Sequence, residues 1–180
     1  MTDHEEAACR LQEMLRFDTT NPPGNELALV THLAASLQAE GLQAEVLESA
    51  PDRASLAVRL RGDGSERPLL MMSHLDVVPA EPSRWSHPPF AGQISDGILY
   101  GRGAIDSKLT AAVHLQVLLM AHRNRLPLQR DLVLIAAADE EVGGTHGMAW
   151  LPKEHPEWLD AEFGINEAGG FAVLVDGQPI

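Results

Sequence analysis

The stretch LLMMSHLDVVP at Leu69–Pro79 joins a short apolar run to polar residues that carry chemistry. An uncharged run of this kind is typical of a strand that is buried on both faces of a sheet. His74 and Asp76 follow where the run ends, and residues two apart on an extended chain point to the same face. An imidazole with a carboxylate close behind it suits a zinc ligand or a catalytic base. Taken alone, the pattern favours an ordinary strand end before a turn, and the other motifs change that balance.

The composition excludes several classes of partner. The chain has 180 residues, 44% of them hydrophobic, which is enough for one domain with a sizeable core. Its formal net charge of −13 argues against nucleic acid or an anionic membrane as the main partner. No apolar run reaches membrane-spanning length, and MTDHEEAACR lacks the features of a signal peptide, so we expect a cytoplasmic protein. The single cysteine, Cys9, sits in a helical apolar pattern and is expected to be a small core residue.

Apolar periodicity predicts helices that alternate with strands along the chain. Three- and four-residue steps indicate helices over residues 3–17 and 25–40 and a third, capped by Asp106 or Ser107, that ends near 123. Alternating or continuous apolar runs indicate strands at 42–47, 55–60, 69–73, 98–100, 132–138, 163–166 and 171–175, with a hairpin turn signal at Asp176-Gly177. This order predicts an α/β layered fold with a largely parallel sheet. No linker or repeat divides the chain.

Polar groups gather where these strands end, which is where ligands bind in such sheets. They are His74 and Asp76 after 69–73, Asp106 after a glycine turn, Glu140 and Glu141 after 132–138, and Glu167 after 163–166. If the strands are parallel neighbours, one edge of the sheet collects a histidine and several carboxylates. Carboxylates so close together repel one another unless a cation is present. One imidazole among carboxylates suits Zn²⁺, Co²⁺ or Mn²⁺.

The adjacent acids Glu140 and Glu141 cannot both point the same way from an extended strand. At a turning strand end they can diverge, so that one binds a metal ion while the other stands free as a general base. By itself, DEEVGG at 139–144 is more typical of a solvated acidic turn. The polar residues of LLMMSHLD and INE stand in equivalent positions at strand ends. Together the three segments make the metal site the favoured interpretation.

Other catalytic signatures are missing from the sequence or incomplete. There is no G-x-S-x-G elbow, which leaves a serine hydrolase without support. Gly101-Arg102-Gly103 lacks the rest of a dinucleotide-binding fingerprint. We assign packing, turn or surface roles to the remaining histidines, and His146, which follows EEVGG, is expected at a helix start.

Five motifs occur in order along the chain: SHLDVVP, WSHPPFAG, DGILYGRGAIDSK, DEEVGG and NEAGG. Together they resemble the M20 family of metallopeptidases, which includes aminoacylase, carboxypeptidase, succinyl-diaminopimelate desuccinylase and acetylornithine deacetylase relatives. FDTTNPPGNE at 17–26 is similar to the N-terminal segment of that family. The resemblance covers nearly the whole chain. It implies a zinc-peptidase-like three-layer sandwich, with a mostly parallel central sheet flanked by helices.

The resemblance also implies a role for each residue of the cluster. The metal ligands would be His74 and Glu167 for the first zinc ion, Glu141 for the second, and Asp106 as a bridge between the two. Asp76 would stand behind His74, and Glu140 would be the general base and later the proton donor. A cis peptide bond is expected just after Asp106.

The implied chemistry is hydrolysis of an amide or peptide bond in a small substrate, an N-acyl amino acid or a short peptide, by water activated between two metal ions. Members of the family are much longer than this chain. They add a lid domain, through which many form homodimers, and a C-terminal return that supplies the last histidine of the second zinc site. We therefore expect residues 1–180 to be the N-terminal part of the catalytic domain, with weak or no activity alone. The alternative is a non-catalytic metal-binding or interaction remnant of the same fold.

Overall fold

The computed structural model describes residues 2–167 and, as backbone, 174–175 and 178–179. Its helices are α1 (Asp3–Met14), α2 (Leu27–Ala39), α3 (Lys108–Arg123) and α4 (Leu151–Glu154). Its strands are β1 (Ala44–Ala50), β2 (Arg53–Leu60), β3 (Leu69–His74), β4 (Gln93–Ser95), β5 (Ile98–Tyr100), β6 (Leu132–Ala137), β7 (Phe163–Ile165), β8 (Leu174–Val175) and β9 (Gln178–Pro179). Short 3-10 turns lie at Pro82–Arg84, Glu140–Val142 and Pro156–Trp158. The predicted α/β alternation is confirmed.

The central sheet has five strands in the order β1-β2-β6-β3-β7. β6 pairs in parallel with β3, and β3 pairs in parallel with β7. β2 lies antiparallel to both of its neighbours, β1 and β6, so four of the five strands run in one direction. This confirms the mostly parallel sheet. Every residue of β6 is buried, as an uninterrupted apolar run predicts for a strand that is covered on both faces.

Helices cover the sheet on both faces, which makes the predicted three layers. On one face α1, α2 and α3 form a core that includes Leu115 and Leu134. On the other face Leu151 of α4 and Trp158 of the following 3-10 turn pack with Ile135. Leu134 and Ile135 are neighbours in β6 and serve opposite cores, because successive strand residues point to opposite faces. Within the described part of the chain, no helix has the length and apolar character that crossing a bilayer requires.

Several local predictions differ from the structure. Cys9 is exposed rather than buried in the core, because α1 turns Leu11 and Met14 inward. The strand β4 was not predicted, since its three residues show no apolar pattern, and it pairs with β5 in a separate hairpin. The predicted strand at 171–175 and the turn at 176–177 lie outside the described residues, except for the backbone of β8, which pairs antiparallel with β9.

Candidate metal centre

The carboxyl ends of β3, β6 and β7 lie side by side and bring the predicted residues to one edge of the sheet. His74 ends β3, the 3-10 turn with Glu140 and Glu141 follows β6 after two residues, and Glu167 lies two residues beyond β7. Asp106 reaches the same edge from the loop before α3. The structure therefore assembles the acidic cluster that the strand ends predict, although the residues are far apart in sequence.

The ring of His74 is buried and turns Nε2 toward the carboxylates of Asp106, Glu140 and Glu167. Nδ1 lies 2.9 Å from the main-chain carbonyl oxygen of Asp76, which can only accept, so Nδ1 donates. In the neutral ring this leaves the lone pair on Nε2. Nε2 lies 3.0 Å from Oδ1 of Asp106, 3.5 Å from Oε2 of Glu167 and 3.8 Å from Oε2 of Glu140. The hydrogen bond at Nδ1 thus selects the neutral tautomer in which the lone pair of Nε2 faces these carboxylates.

This convergence fits a divalent cation. Burial alone would lower the pKa of His74, but the hydrogen bond with Asp76 and the charge of Glu167 raise it to about 9. The carboxylates that raise this pKa would equally favour a metal ion at Nε2. His74, Asp106 and Glu167 offer ligand atoms within 4.8 Å of one another. Ligands of a tetrahedral zinc ion bound at about 2.0–2.2 Å lie roughly 3.3 Å apart, close to the separations here.

A second group with ligand spacing contains His74, Glu140 and Glu141. Burial raises the pKa of Glu141, and the charges of Asp106 and Asp76 add to this. Asp106 is expected to share a metal ion with Glu141, but among the described residues no ligand-spaced group of three joins these two carboxylates. The geometry therefore brings the three ligands expected for the first metal ion together, but not the pair expected for the second.

Asp76 is fully buried and is the structural support of the acidic turn. Its Oδ1 accepts the main-chain N–H of Glu140 at 3.0 Å, and its Oδ2 accepts that of Glu141 at 3.1 Å. Burial alone would raise its pKa, but hydrogen bonds from His74, Asn21 and these two N–H groups lower it. The resemblance places Asp76 behind His74, and the group of Asp76 that lies nearest to Nδ1 of His74 is its main-chain carbonyl. Its carboxylate oxygen Oδ1 lies farther from Nδ1, at 3.4 Å, and mainly holds the turn.

Ser107 connects the loop of Asp106 to β3. It stands at the N-cap position of α3, but its side chain makes no capping hydrogen bond. Instead its Oγ lies 3.2 Å from both the main-chain nitrogen and the main-chain oxygen of His74. Ser107 therefore takes the predicted N-cap position, but its hydroxyl is used by the neighbouring strand instead of a capping hydrogen bond. The Asp106-Ser107 peptide bond is cis, as the resemblance implies.

Sequence reasoning missed three buried residues behind the cluster, namely Asn21, Arg53 and Asp139. The side-chain amide of Asn21 donates to Asp76 and to Asp139, and Arg53 donates to Asp139. FDTTNPPGNE contains Asn21 and is the signal that points to this part of the site. Arg53 has no comparable signal in the sequence, because its partners lie 27 and 86 positions away.

A groove of about 490 Å³ opens beside the cluster. His74, Glu140 and Glu167 line its polar side, while Met72 and Met148 line its apolar side. Such a volume is typical of sites for small molecules rather than for folded proteins.

A layered α/β fold that holds one imidazole among carboxylates at the ends of parallel strands is typical of metal-dependent hydrolases. The chain belongs to the peptidase family M20/M25/M40, whose model matches residues 70–176. The match includes every residue predicted to bind metal, and it confirms the resemblance seen in the motifs. Membership of a metallopeptidase family implies the use of a divalent metal.

The chain matches curated relatives over 17% to 39% of their own length. The chain is 38% identical over 136 residues to a succinyl-diaminopimelate desuccinylase from Delftia acidovorans, covering 71% of this chain and 35% of the relative. It is 32% identical over 160 residues to aminoacylase-1 from Sus scrofa, covering 87% of this chain and 39% of the relative.

Solved structures match the fold. Human carnosine dipeptidase 1 aligns with a TM-score of 0.78 at 20% identity over 93% of this chain and 39% of that chain. The M20 metallo-carboxypeptidase Sso-CP2 from Sulfolobus solfataricus aligns with a TM-score of 0.77 at 22% identity over 92% of this chain and 38% of that chain. At these identities the likeness concerns the fold alone, and it confirms the predicted α/β class.

Proposed function

We propose that the protein to which this chain belongs hydrolyses amide or peptide bonds in small substrates with the aid of two metal ions. The observation that carries the proposal is the convergence of Nε2 of His74 with the carboxylates of Asp106, Glu140 and Glu167. Family membership and relatives named as a desuccinylase and an aminoacylase support the reaction class. Residues 1–180 remain assigned, as a prediction, to the N-terminal part of the catalytic domain.

We assign the metal ligands as His74 and Glu167 at the first site, Glu141 at the second, and Asp106 between them. Bound metal ions would supply a Lewis acid that lowers the pKa of water and stabilises charge on the substrate carbonyl oxygen. Zinc is the proposed ion, with cobalt or manganese as substitutes, because the donors are one imidazole and several carboxylates.

Glu140 is the proposed general base. Its side chain is 54% exposed and lines the groove, so it is accessible to both water and substrate. It takes a proton from the attacking water and then gives that proton to the leaving nitrogen, which restores the carboxylate. Asp76 fixes the main chain of Glu140 through a hydrogen bond of 3.0 Å, so the base is presented from a held turn.

The substrates we propose are N-acyl amino acids or short peptides, which suit a groove of about 490 Å³ with an apolar side. The acidic composition favours neither nucleic acid nor an anionic membrane as a partner. A cytoplasmic setting remains part of the proposal. Homodimers, where they form, would use a lid domain of the longer protein.

The chain alone is proposed to be weakly active or inactive. Among the described residues, the ligand-spaced groups contain a single imidazole, that of His74. A second metal ion would therefore have carboxylates but no further nitrogen ligand from the described residues. Turnover by the chain that Glu140→Gln abolishes would overturn this expectation while supporting the role of the base.

The deciding experiment measures metal content per chain by plasma mass spectrometry, on protein purified without added metal and with its intact mass checked. We expect near-stoichiometric zinc, cobalt or manganese in the unaltered chain and its loss in His74→Ala, because the lone pair of Nε2 is removed. His32→Ala is the matched control, since His32 is partly exposed on α2 and faces Glu13. It should keep the metal. A folded chain of full mass without metal would contradict the proposal and favour the non-catalytic alternative.

A further inference from the structure

A buried series of hydrogen bonds connects the metal-binding edge to the segment before α2. It runs from Asp76 through Asn21, Asp139 and Arg53 to Glu26. None of these five residues is more than 8% exposed. Buried polar and charged groups are costly unless each one is paired, so such a series has to be satisfied throughout.

Asn21 is the link between two carboxylates. Its Nδ2 donates one hydrogen bond to Oδ2 of Asp76 at 2.8 Å and another to Oδ1 of Asp139 at 2.9 Å. An amide has two N–H groups, and both are used here. Without this donor the two buried carboxylates would face each other and repel. The main-chain N–H of Asn21 donates to the carbonyl of Val77 at 2.9 Å, which fixes the residue beside β3.

Arg53 holds the other end of the series. Nε and Nη2 donate to the two oxygens of Glu26 at 2.8 and 3.0 Å, and Nη2 also donates to Oδ1 of Asp139 at 2.6 Å. Nη1 donates to the carbonyl of Pro23 at 2.9 Å. A Cβ at Gly24 would lie 2.1 Å from Cζ of Arg53, so only glycine leaves room for the guanidinium. The loop before α2 is thus shaped around this side chain.

Asp139 directly precedes the acidic turn and binds the main chain that follows it. It has a positive φ of 69°, and its Oδ2 accepts the main-chain N–H of His146 at 2.9 Å. Asp76 accepts the main-chain N–H groups of Glu140 and Glu141. The turn is therefore held at both ends by carboxylates that share one donor, the amide of Asn21.

We propose that Asn21 and Arg53 are positioning residues, which hold Asp76 and Asp139 so that the turn presents Glu140 and Glu141 to the metal site. The inference rests on the proposed function, because it takes the base and the metal ligand as given. It also assigns a task to FDTTNPPGNE, a motif that the ligand set leaves unused.

The first test is amide hydrogen exchange in the metal-free, isotopically labelled chain, followed by NMR. Asn21→Asp keeps the size of the side chain and replaces its donor with an acceptor. We expect the N–H groups of Glu140 and Glu141 to exchange about tenfold faster or more, as for a lost charged hydrogen bond, with a smaller change at Leu134 in β6. Asn124→Asp is the matched control outside the series and should leave the turn unchanged.

The second variant, Asn21→Ala, removes both N–H donors without adding charge. It replaces Asn21→Asp in the experiment if that variant does not fold. We expect the same faster amide exchange at Glu140 and Glu141. If the amides of the turn and of β6 change by the same factor in both variants, the effect is on global stability alone. Equal factors would overturn the positioning role.

A metal readout then tests whether Asn21 acts through Glu141. Cobalt affinity and the visible spectrum of bound cobalt are measured for Asn21→Ala, Glu141→Gln and the double variant. We expect Asn21→Ala to weaken cobalt binding when Glu141 is present. It should cause no further loss of affinity when Glu141 is already replaced by glutamine. Additive losses would contradict the inference. A chain that binds no cobalt would defeat the proposed function instead, while the metal-free exchange data would still decide the positioning role.

Discussion

The backbone at Gly147 passes so close to the end of β6 that a side chain has no room. A Cβ there would lie 1.9 Å from the main-chain oxygen of Ala138. Gly147→Ala must therefore move the segment that follows the acidic turn, and such overpacking costs about 2 kcal/mol. We expect a lower midpoint in urea unfolding, with an unchanged slope.

Gly164→Ala is the control for this substitution. A Cβ at Gly164 would meet only the end of Met72, at an ordinary contact distance of 3.5 Å. Its effect should stay within about 0.5 kcal/mol. Equal effects of the two alanines would show that the close approach at Gly147 relaxes without cost.

Most residues of the cluster were predictable because they follow strand ends, and the strands themselves have clear apolar runs. Asp106 is the exception, since it lies in the loop before α3 and its signal is the glycine turn that precedes it. That these residues meet at one edge of the sheet could then be inferred from general rules of parallel sheets. The residues behind the cluster were not predictable in this way. The bond between Asn21 and Asp139 spans 118 positions, and that between Arg53 and Asp139 spans 86. No local pattern encodes such a contact.

At the scale of elements, Arg123 connects three helices. From the last turn of α3 its guanidinium binds Glu6 of α1 and Glu40, which caps the C-terminus of α2. The hydrogen bond with Arg123 lowers the pKa of Glu6 to about 2. A carboxylate whose pKa is lowered by folding contributes stability that is fully present above its unfolded pKa, near 4.5, and is lost as the pH falls toward 2.

Arg123→Met should therefore destabilise the protein at pH 6, by about 1 kcal/mol because the pairs are partly exposed. The difference from the unaltered chain should shrink between pH 4.5 and pH 2, where the unaltered chain loses the same contribution. Urea unfolding at several pH values measures both effects. Arg84→Met, which removes an exposed pair with Glu81, is the control and should have little effect at any pH. A difference independent of pH would indicate lost packing instead of lost charge.

Elements differed in how well the sequence predicted them. β6 was clear, because burial on both faces requires an unbroken apolar run. The helices were found with ends a few residues off, since apolar spacing does not define where a helix stops. β4 was missed because its three residues, Gln93–Ser95, pair only with β5 at the surface. The position of β6 between β2 and β3 could not be predicted, because periodicity contains no information on strand order.

At the scale of the whole molecule, β7 forms one border of the sheet within the described residues. It pairs with β3 on one side, and its Phe163 and Ile165 are 57% and 48% exposed. Unpaired strand edges with apolar side chains favour association with a second chain. We expect the chain to self-associate at raised concentration, and Phe163→Lys to reduce this. Sedimentation velocity over a concentration series measures the effect.

Ile98→Lys is the matched control, because Ile98 is 55% exposed on the separate hairpin. It removes a similar apolar group while leaving the border of the central sheet unchanged. If it reduces association as much as Phe163→Lys does, general surface hydrophobicity is responsible. If the unaltered chain stays monomeric, the β7 border of the sheet is protected from association with a second chain.

The place of β6 in the sheet has a consequence for biosynthesis. β2 and β3 are consecutive in the sequence, but they are not neighbours in the sheet. β6, which is synthesised later, lies between them and pairs with both. A nascent chain that has emerged from the ribosome only to residue 131 has two strands with open edges and no shared partner. Chains in this condition are prone to aggregate. In the growing polypeptide, one edge of β2 and one edge of β3 therefore stay without their partner until residues 132–137 have emerged and β6 can pair with both strands.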